Sequence, residues 1–215
     1  MQNTASELFI LHQDPAFLVV HKPGGLLAVP GRGEDKQDCV VARIRQLLPQ
    51  MISQPAVHRL DMYTSGLMVL AVTTQAHRHL SRQFEQRQVR KRYIALLEGI
   101  IAEDEGEIRL AFRLDPDNRP YQVYDPLHGK MGITRWRLLA VEGERTRIEF
   151  SPLTGRTHQL RVHAAHSLGL GLPIVGDRLY GHGREGEQML LHASHLAFAH
   201  PSTGEPLLFD SPAPF

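Results

Sequence analysis

The run Gly66–Val72 (GLMVLAV) constrains this chain more than any other stretch. It is almost wholly apolar, too short for a layer-spanning helix, and bounded by Ser65 and Thr73, so it reads as a strand buried on both faces. Such a strand needs neighbours in a sheet and cover above and below. Directly before it stands the densest polar segment of the chain, His58-Arg59-Leu60-Asp61-Met62-Tyr63-Thr64-Ser65. A polar loop mounted on a rigid strand is how scaffolds present functional groups.

Further strands are expected at Leu8–His12, Leu18–His21, Lys91–Leu97, Ile108–Phe112, Ile133–Val141, Thr146–Phe150, Leu190–Ala199 and Leu207–Phe209. Glu142-Gly143-Glu144 marks a hairpin between two of them. Helical spacing appears from Val40 to Leu48, from a Thr73 or Thr74 cap to about Gln86, and over Thr157–Leu168. Lys22-Pro23-Gly24-Gly25 reads as an exposed bend. Strands outnumber helices without alternating with them, which favours an α+β fold with a mixed or antiparallel sheet. No repeat, linker or low-complexity tract breaks the chain, so a single unit over residues 1–215 is expected, with Met1–Glu7 as a short polar tail.

A chain of 215 residues can bury a substantial core. With 24 Lys+Arg against 23 Asp+Glu the formal net charge is +1, which excludes binding to nucleic acid by bulk charge but leaves room for a local basic patch. Cys39 is the only cysteine, so neither an internal disulfide nor a Cys-rich zinc site can form. No apolar run approaches bilayer-spanning length and the N-terminus lacks a secretion-signal profile; the expectation is a soluble, cytoplasmic protein.

Three segments could carry chemistry. In the first, Arg59 beside Asp61 favours an ionised carboxylate, although a salt-bridged turn would look the same. In the second, Thr154 or Thr157 can cap the following helix, and Arg156 at its mouth could reach an anion. An ordinary capped helix is the plainer reading there. The third is the basic run Arg78, Arg82, Arg87, Arg90, Lys91 and Arg92, opposed only by Glu85. It can neutralise phosphates or be a solvated face, and Tyr93 follows it as a possible stacking ring. The pairs His163/His166 and His192/His195 suggest a metal, but no HExxH motif accompanies them and the second pair falls on an expected strand. Cys39 sits in an apolar helix, and the glycines at 24–25 and 31–33 fit no phosphate-cradling spacing.

Taken together and in order, the segments resemble the RluA-type pseudouridine synthases, specifically the short members without the small N-terminal RNA-binding domain. His58-Arg59-Leu60-Asp61 with Thr64-Ser65-Gly66 matches the family's catalytic motif, and Lys22-Pro23-Gly24-Gly25-Leu26-Leu27 its Lys-Pro motif. Lys91-Arg92-Tyr93-Ile94-Ala95 matches its tyrosine motif. Leu153–His163, continued by Pro173–Asp177 and Leu179-Tyr180-Gly181, matches its C-terminal block. Two stretches depart: His166–Leu172 is longer than in the best-known short synthase, and Tyr121-Gln122-Val123-Tyr124 replaces a more basic stretch.

The resemblance implies a pseudouridine synthase fold with a mixed, mostly antiparallel sheet, flanking helices and a central RNA-binding cleft. It implies an isomerase that needs no cofactor or metal. Asp61 would be the catalytic carboxylate, Arg156 its guanidinium partner, and Tyr93 the ring against uracil. Arg59 would fill the place of the flipped uridine and Leu160 would wall the uracil pocket, with Thr64, Arg82, Lys91 and Arg161 as further RNA-binding residues. The implied partner is structured RNA, a tRNA anticodon loop, a large-subunit rRNA hairpin or both, handled by a monomer. A non-catalytic RNA-binding module and, far behind, a metal-dependent hydrolase are the competing classes.

Overall fold

The computed structural model describes residues 8–215, so the polar tail expected at Met1–Glu7 lies outside the described residues. The chain forms two compact units, one made of residues up to Lys91 together with His192–Phe215, the other of Arg92–Leu191.

The first unit carries strands β1 (Phe9–Gln13), β2 (Phe17–Lys22) and β3 (Ser65–Ala71), with β9 (Leu191–Ala199) and β10 (Pro206–Asp210) from the C-terminal part. β1, β2 and β3 are antiparallel neighbours, β10 pairs antiparallel with β9, and β3 meets β9 in parallel at Ser65↔His192 and Gly66↔Ala193. β2 and β3 are buried at every position, as an apolar run covered on both faces requires. Helix α1 (Val40–Leu47) buries Val40, Val41 and Ile44. Cys39, expected within that helix, instead precedes it as the cap, its Sγ accepting the Ala42 N–H at 3.3 Å. Helix α2 (Thr74–Glu85) begins at Thr73, whose hydroxyl accepts the Ala76 N–H. Its Ala76 and Leu80 join Phe17, Val19, Leu67, Val69, Leu196 and Phe198 in one core.

The second unit is an antiparallel sheet of β4 (Arg90–Glu98), β5 (Glu105–Leu114), β6 (Gln122–Tyr124), β7 (Lys130–Glu142) and β8 (Arg145–Pro152), in the order β4-β8-β7-β5-β6. The β7–β8 hairpin turns where Glu142-Gly143-Glu144 suggested it, Gly143 taking φ +63°. β6 is a short edge strand that periodicity did not mark. Helix α3 spans only Gln159–Ala165, shorter than the expected Thr157–Leu168, and neither Thr154 nor Thr157 caps it. His158 holds the cap position with a left-handed φ of 56°.

Candidate catalytic loop

The segment around Asp61 is fixed from several sides within the first unit. Upstream, His58 Nε2 accepts the Val69 N–H at 3.0 Å and its ring stacks on Phe84 at 4.6 Å. Burial, with the nearby Lys91 charge, pushes that imidazole down to about 3, so it stays a neutral acceptor. At the turn, the Thr64 N–H returns to the Asp61 carbonyl at 3.1 Å. Downstream, Ser65 Oγ bonds His192 Nδ1 at 2.8 Å, and His192 Nε2 meets Ser211 Oγ at 3.2 Å. Gly66 follows with φ +111°, and any side chain there would collide with the Ala193 backbone, so the close approach of β3 and β9 at Gly66↔Ala193 needs a glycine.

Lys22 supplies the fastening that the sequence did not reveal. The Lys22–Gly25 bend is exposed only at its glycine end: Gly25 faces solvent, but Lys22 is fully buried and its ammonium donates to the carbonyls of Pro23 (2.8 Å), Leu26 (2.7 Å) and Met62 (2.9 Å). All three ammonium hydrogens are thereby used. The Gly25 N–H reaches the same Met62 carbonyl at 2.9 Å. Burial pushes the Lys22 ammonium down to about 7, while the charge of Asp61 opposes the shift. Asp61 is half-buried, sits in this cation's field, and the backbone is held at its own carbonyl and at that of Met62. A carboxylate in such a setting can stabilise positive charge that develops at an electron-poor carbon. The available clue was Lys22 itself, a charge ending the apolar strand Phe17–Val20.

Arg59 is exposed two residues before Asp61, and Thr64 is buried at 3% exposure. Arg82 projects from α2 into solvent, while Lys91 is half-buried with its ammonium pushed down by burial.

In the second unit, Tyr93 is half-buried on β4 opposite Phe150 of β8. Arg156 is exposed, its Nε donating to the Met131 carbonyl at 3.3 Å. The buried amide of Gln159 builds the loop that carries it. Its Oε1 accepts the Arg156 N–H (3.0 Å) and the Thr154 hydroxyl (2.7 Å), and its Nε2 donates to the Ile133 carbonyl and Thr134 hydroxyl. Thr154 also accepts the Ile133 N–H, so its hydroxyl is engaged there instead of at the helix end. Leu160 is buried on α3. Arg161, expected to contact RNA, is only 3% exposed and forms a bidentate pair with Asp177 at 2.6 and 2.7 Å, with its guanidinium also over the Tyr180 ring. Its geometry is that of an internal brace. Of the histidine pairs, His192 is engaged by serines through both nitrogens and His195 bonds Asp210.

The family model of RNA pseudouridylate synthases matches residues 16–166, a span that includes Lys22, Asp61, Tyr93 and Arg156. The chain belongs to this family. Among the RNA pseudouridylate synthases it is 42% identical to the dual-specificity RNA pseudouridine synthase RluA of Yersinia pestis, over 97% of this chain and all of that one. It is 43% identical to the protein of the same description from Escherichia coli K12, over 97% of this chain and 94% of that one. Of solved structures, human RNA pseudouridylate synthase domain containing 1 matches with a TM-score of 0.77 and 31% identity, covering 98% of this chain and 85% of that one. Human RNA pseudouridylate synthase domain containing 4 matches at 0.73 and 25%, covering 95% and 88%. The α+β class and predominantly antiparallel sheet expected from the sequence agree with these neighbours.

Proposed function

We propose that this RNA pseudouridine synthase isomerises uridines in structured RNA through the carboxylate of Asp61. The reaction breaks the bond between uracil N1 and the ribose C1′, turns the base, forms the C5–C1′ bond, loses the C5 proton and gains one at N1. Atoms balance without an oxidant or a second substrate. An electron-poor sugar carbon is the centre that carboxylates serve in glycoside cleavage. Here the departing uracil is a delocalised anion that is retained and reused, so one carboxylate suffices where glycosidases use two. The observation that carries the reading is the placement of Asp61, half-buried in the field of Lys22 on a turn whose backbone is held at Asp61 and Met62.

In this reading Arg156 is the guanidinium partner of the carboxylate, and Tyr93 lies against the uracil face and serves the proton transfer. Arg59 occupies the gap left by the flipped nucleotide, and Leu160 walls the base. Arg82 and Lys91 contribute to phosphate neutralisation. The enzyme works on hairpin loops, whose bases flip at low cost, as a monomer of the cytoplasm acting over the whole of residues 1–215. The dual specificity for which its relatives are named extends here to a tRNA anticodon loop and a large-subunit rRNA hairpin. To test this, RNA from cells lacking the enzyme is treated with purified protein and its pseudouridines are mapped by chemical labelling. New pseudouridine in both RNA classes is expected. Modification of one class alone removes the dual specificity, and none in either removes the reading.

A further inference from the structure

Tyr121 and Tyr124 lie on the edge of the second unit's sheet, 37% and 40% exposed. Neither ring is loose. Tyr121 meets Tyr180 edge-to-face at 5.8 Å, and Tyr124 packs against His166 at 5.2 Å. Tyr180 in turn meets the His158 ring at 5.6 Å. Its hydroxyl accepts the Gln122 N–H at 2.8 Å and bonds His158 Nδ1 at 2.8 Å. The edge strand β6 is thereby tied, through one tyrosine, to the left-handed residue that follows the Arg156 loop.

Register adds cations to these rings. Tyr124 and Lys130 stand opposite Phe112 from the two sides of β5, so at strand spacing their backbones lie roughly 10 Å apart on one face of the sheet. Lys130 and Arg119 are both exposed. Two of the segment's three aspartates are engaged locally, Asp125 by Arg113 and the N–H groups of Leu127 and His128, and Asp115 by Asn118 and the Asp117 N–H, while Asp117 is exposed. Rigid, half-exposed aromatic rings flanked by cations are the surface on which unpaired bases stack, because every base offers a π-face whatever its sequence.

We propose that Tyr121 and Tyr124 form a stacking platform for unpaired RNA bases neighbouring the target uridine, with Lys130 and Arg119 receiving the adjoining phosphates. The platform deepens the reading of the chain as a synthase of structured RNA and rests on it. It explains what holds a loop open beside the Arg156 segment by a contribution insensitive to salt, in a chain whose net charge is only +1.

The test is direct binding of a fluorescein-labelled RNA hairpin with an unpaired uridine-rich loop, measured by anisotropy over a salt series with the full chain. Tyr121→Ala and Tyr124→Ala are each expected to weaken binding about 5- to 100-fold. The slope of log K against log salt should not change, since no phosphate contact is removed. Tyr→Phe at either position should bind within about twofold of the wild type, and Tyr→Leu as poorly as Ala, because an apolar side chain without a flat face does not stack. Lys130→Ala should instead lower the slope. Alanine variants that bind like the wild type, phenylalanine variants as weak as alanine, or leucine variants as strong as tyrosine would each overturn the platform. So would alanine variants that retain RNA affinity and lose only self-association in sedimentation, which would make the surface a protein contact. Thermal melts confirm that compared variants are folded. Pseudouridine formation by the wild type on cellular RNA separates failure of the platform from failure of the synthase reading.

Discussion

The ammonium of Lys22 lies 2.9 Å from the carbonyl oxygen of Met62, the residue after Asp61, and donates to it. A buried cation with three carbonyl acceptors thus links the Lys-Pro bend to the loop that carries the carboxylate. Replacing Lys22 with Met keeps the aliphatic volume and strands the acceptors. The expected cost is about 2–4 kcal/mol of unfolding free energy, net of the relief from no longer burying a charge. Urea denaturation measures it. Kinetics on the folded fraction should show kcat falling by more than KM rises, because the loop is loosened where chemistry occurs and not where the RNA is held.

Arg161 is buried against Asp177, so its loss should act on stability. Arg161→Leu leaves a buried carboxylate uncompensated, at a cost of about 3–5 kcal/mol, and Arg161→Lys should not restore the bidentate geometry. The double variant Arg161→Leu/Asp177→Leu should recover part of the loss. The salt dependence of RNA binding by the folded single variants should match the wild type, whereas a phosphate contact would have lowered the slope.

Acid should destabilise the first and second units alike through buried imidazoles. His163 is fully buried with neither ring nitrogen hydrogen-bonded among the described residues, its ring edge-to-face with Phe112, and burial pushes it down to about 4; His192 is likewise at about 4. Both titrate near 6.5 in an unfolded chain. Between those values the unfolded state takes up protons that the folded state refuses. Stability is therefore full above about pH 7 and falls as pH drops through 6.5 towards 4, by up to the order of 3 kcal/mol per histidine. Unfolding midpoints measured from pH 7.5 to 4.5 should trace this decline, and His163→Leu should flatten it.

Much of the molecule was legible in the sequence because its signals were local. Gly66–Val72 could only be a doubly covered strand, Thr73 is the helix cap that its position suggested, and the polar segment before Gly66 is the loop pinned around Asp61. What escaped were choices made by distant groups. Lys22 reads as a polar end to a strand, and only the fold reveals carbonyls 4 and 40 residues away gathered around its ammonium. Thr154 reads as a cap, yet its hydroxyl is taken by Ile133 and Gln159, leaving the helix start to His158, which is left-handed and bonds the Tyr180 hydroxyl through Nδ1. Arg161 resembles any arginine of a basic helix until Asp177 is brought beside it. β6 was missed because Gln122–Tyr124 is too short for alternation to register.

The account stands on the carboxylate of Asp61, and the rate of pseudouridine formation by Asp61→Ala and Asp61→Asn on unmodified RNA tests it most directly. Both variants should fold with near-wild-type melting temperatures and bind the RNA. Their single-turnover rate should fall by at least about 1,000-fold, the loss expected when a group acting on the reacting atoms is removed. Pseudouridine formed at the wild-type rate by the folded Asp61→Ala protein would contradict the mechanism.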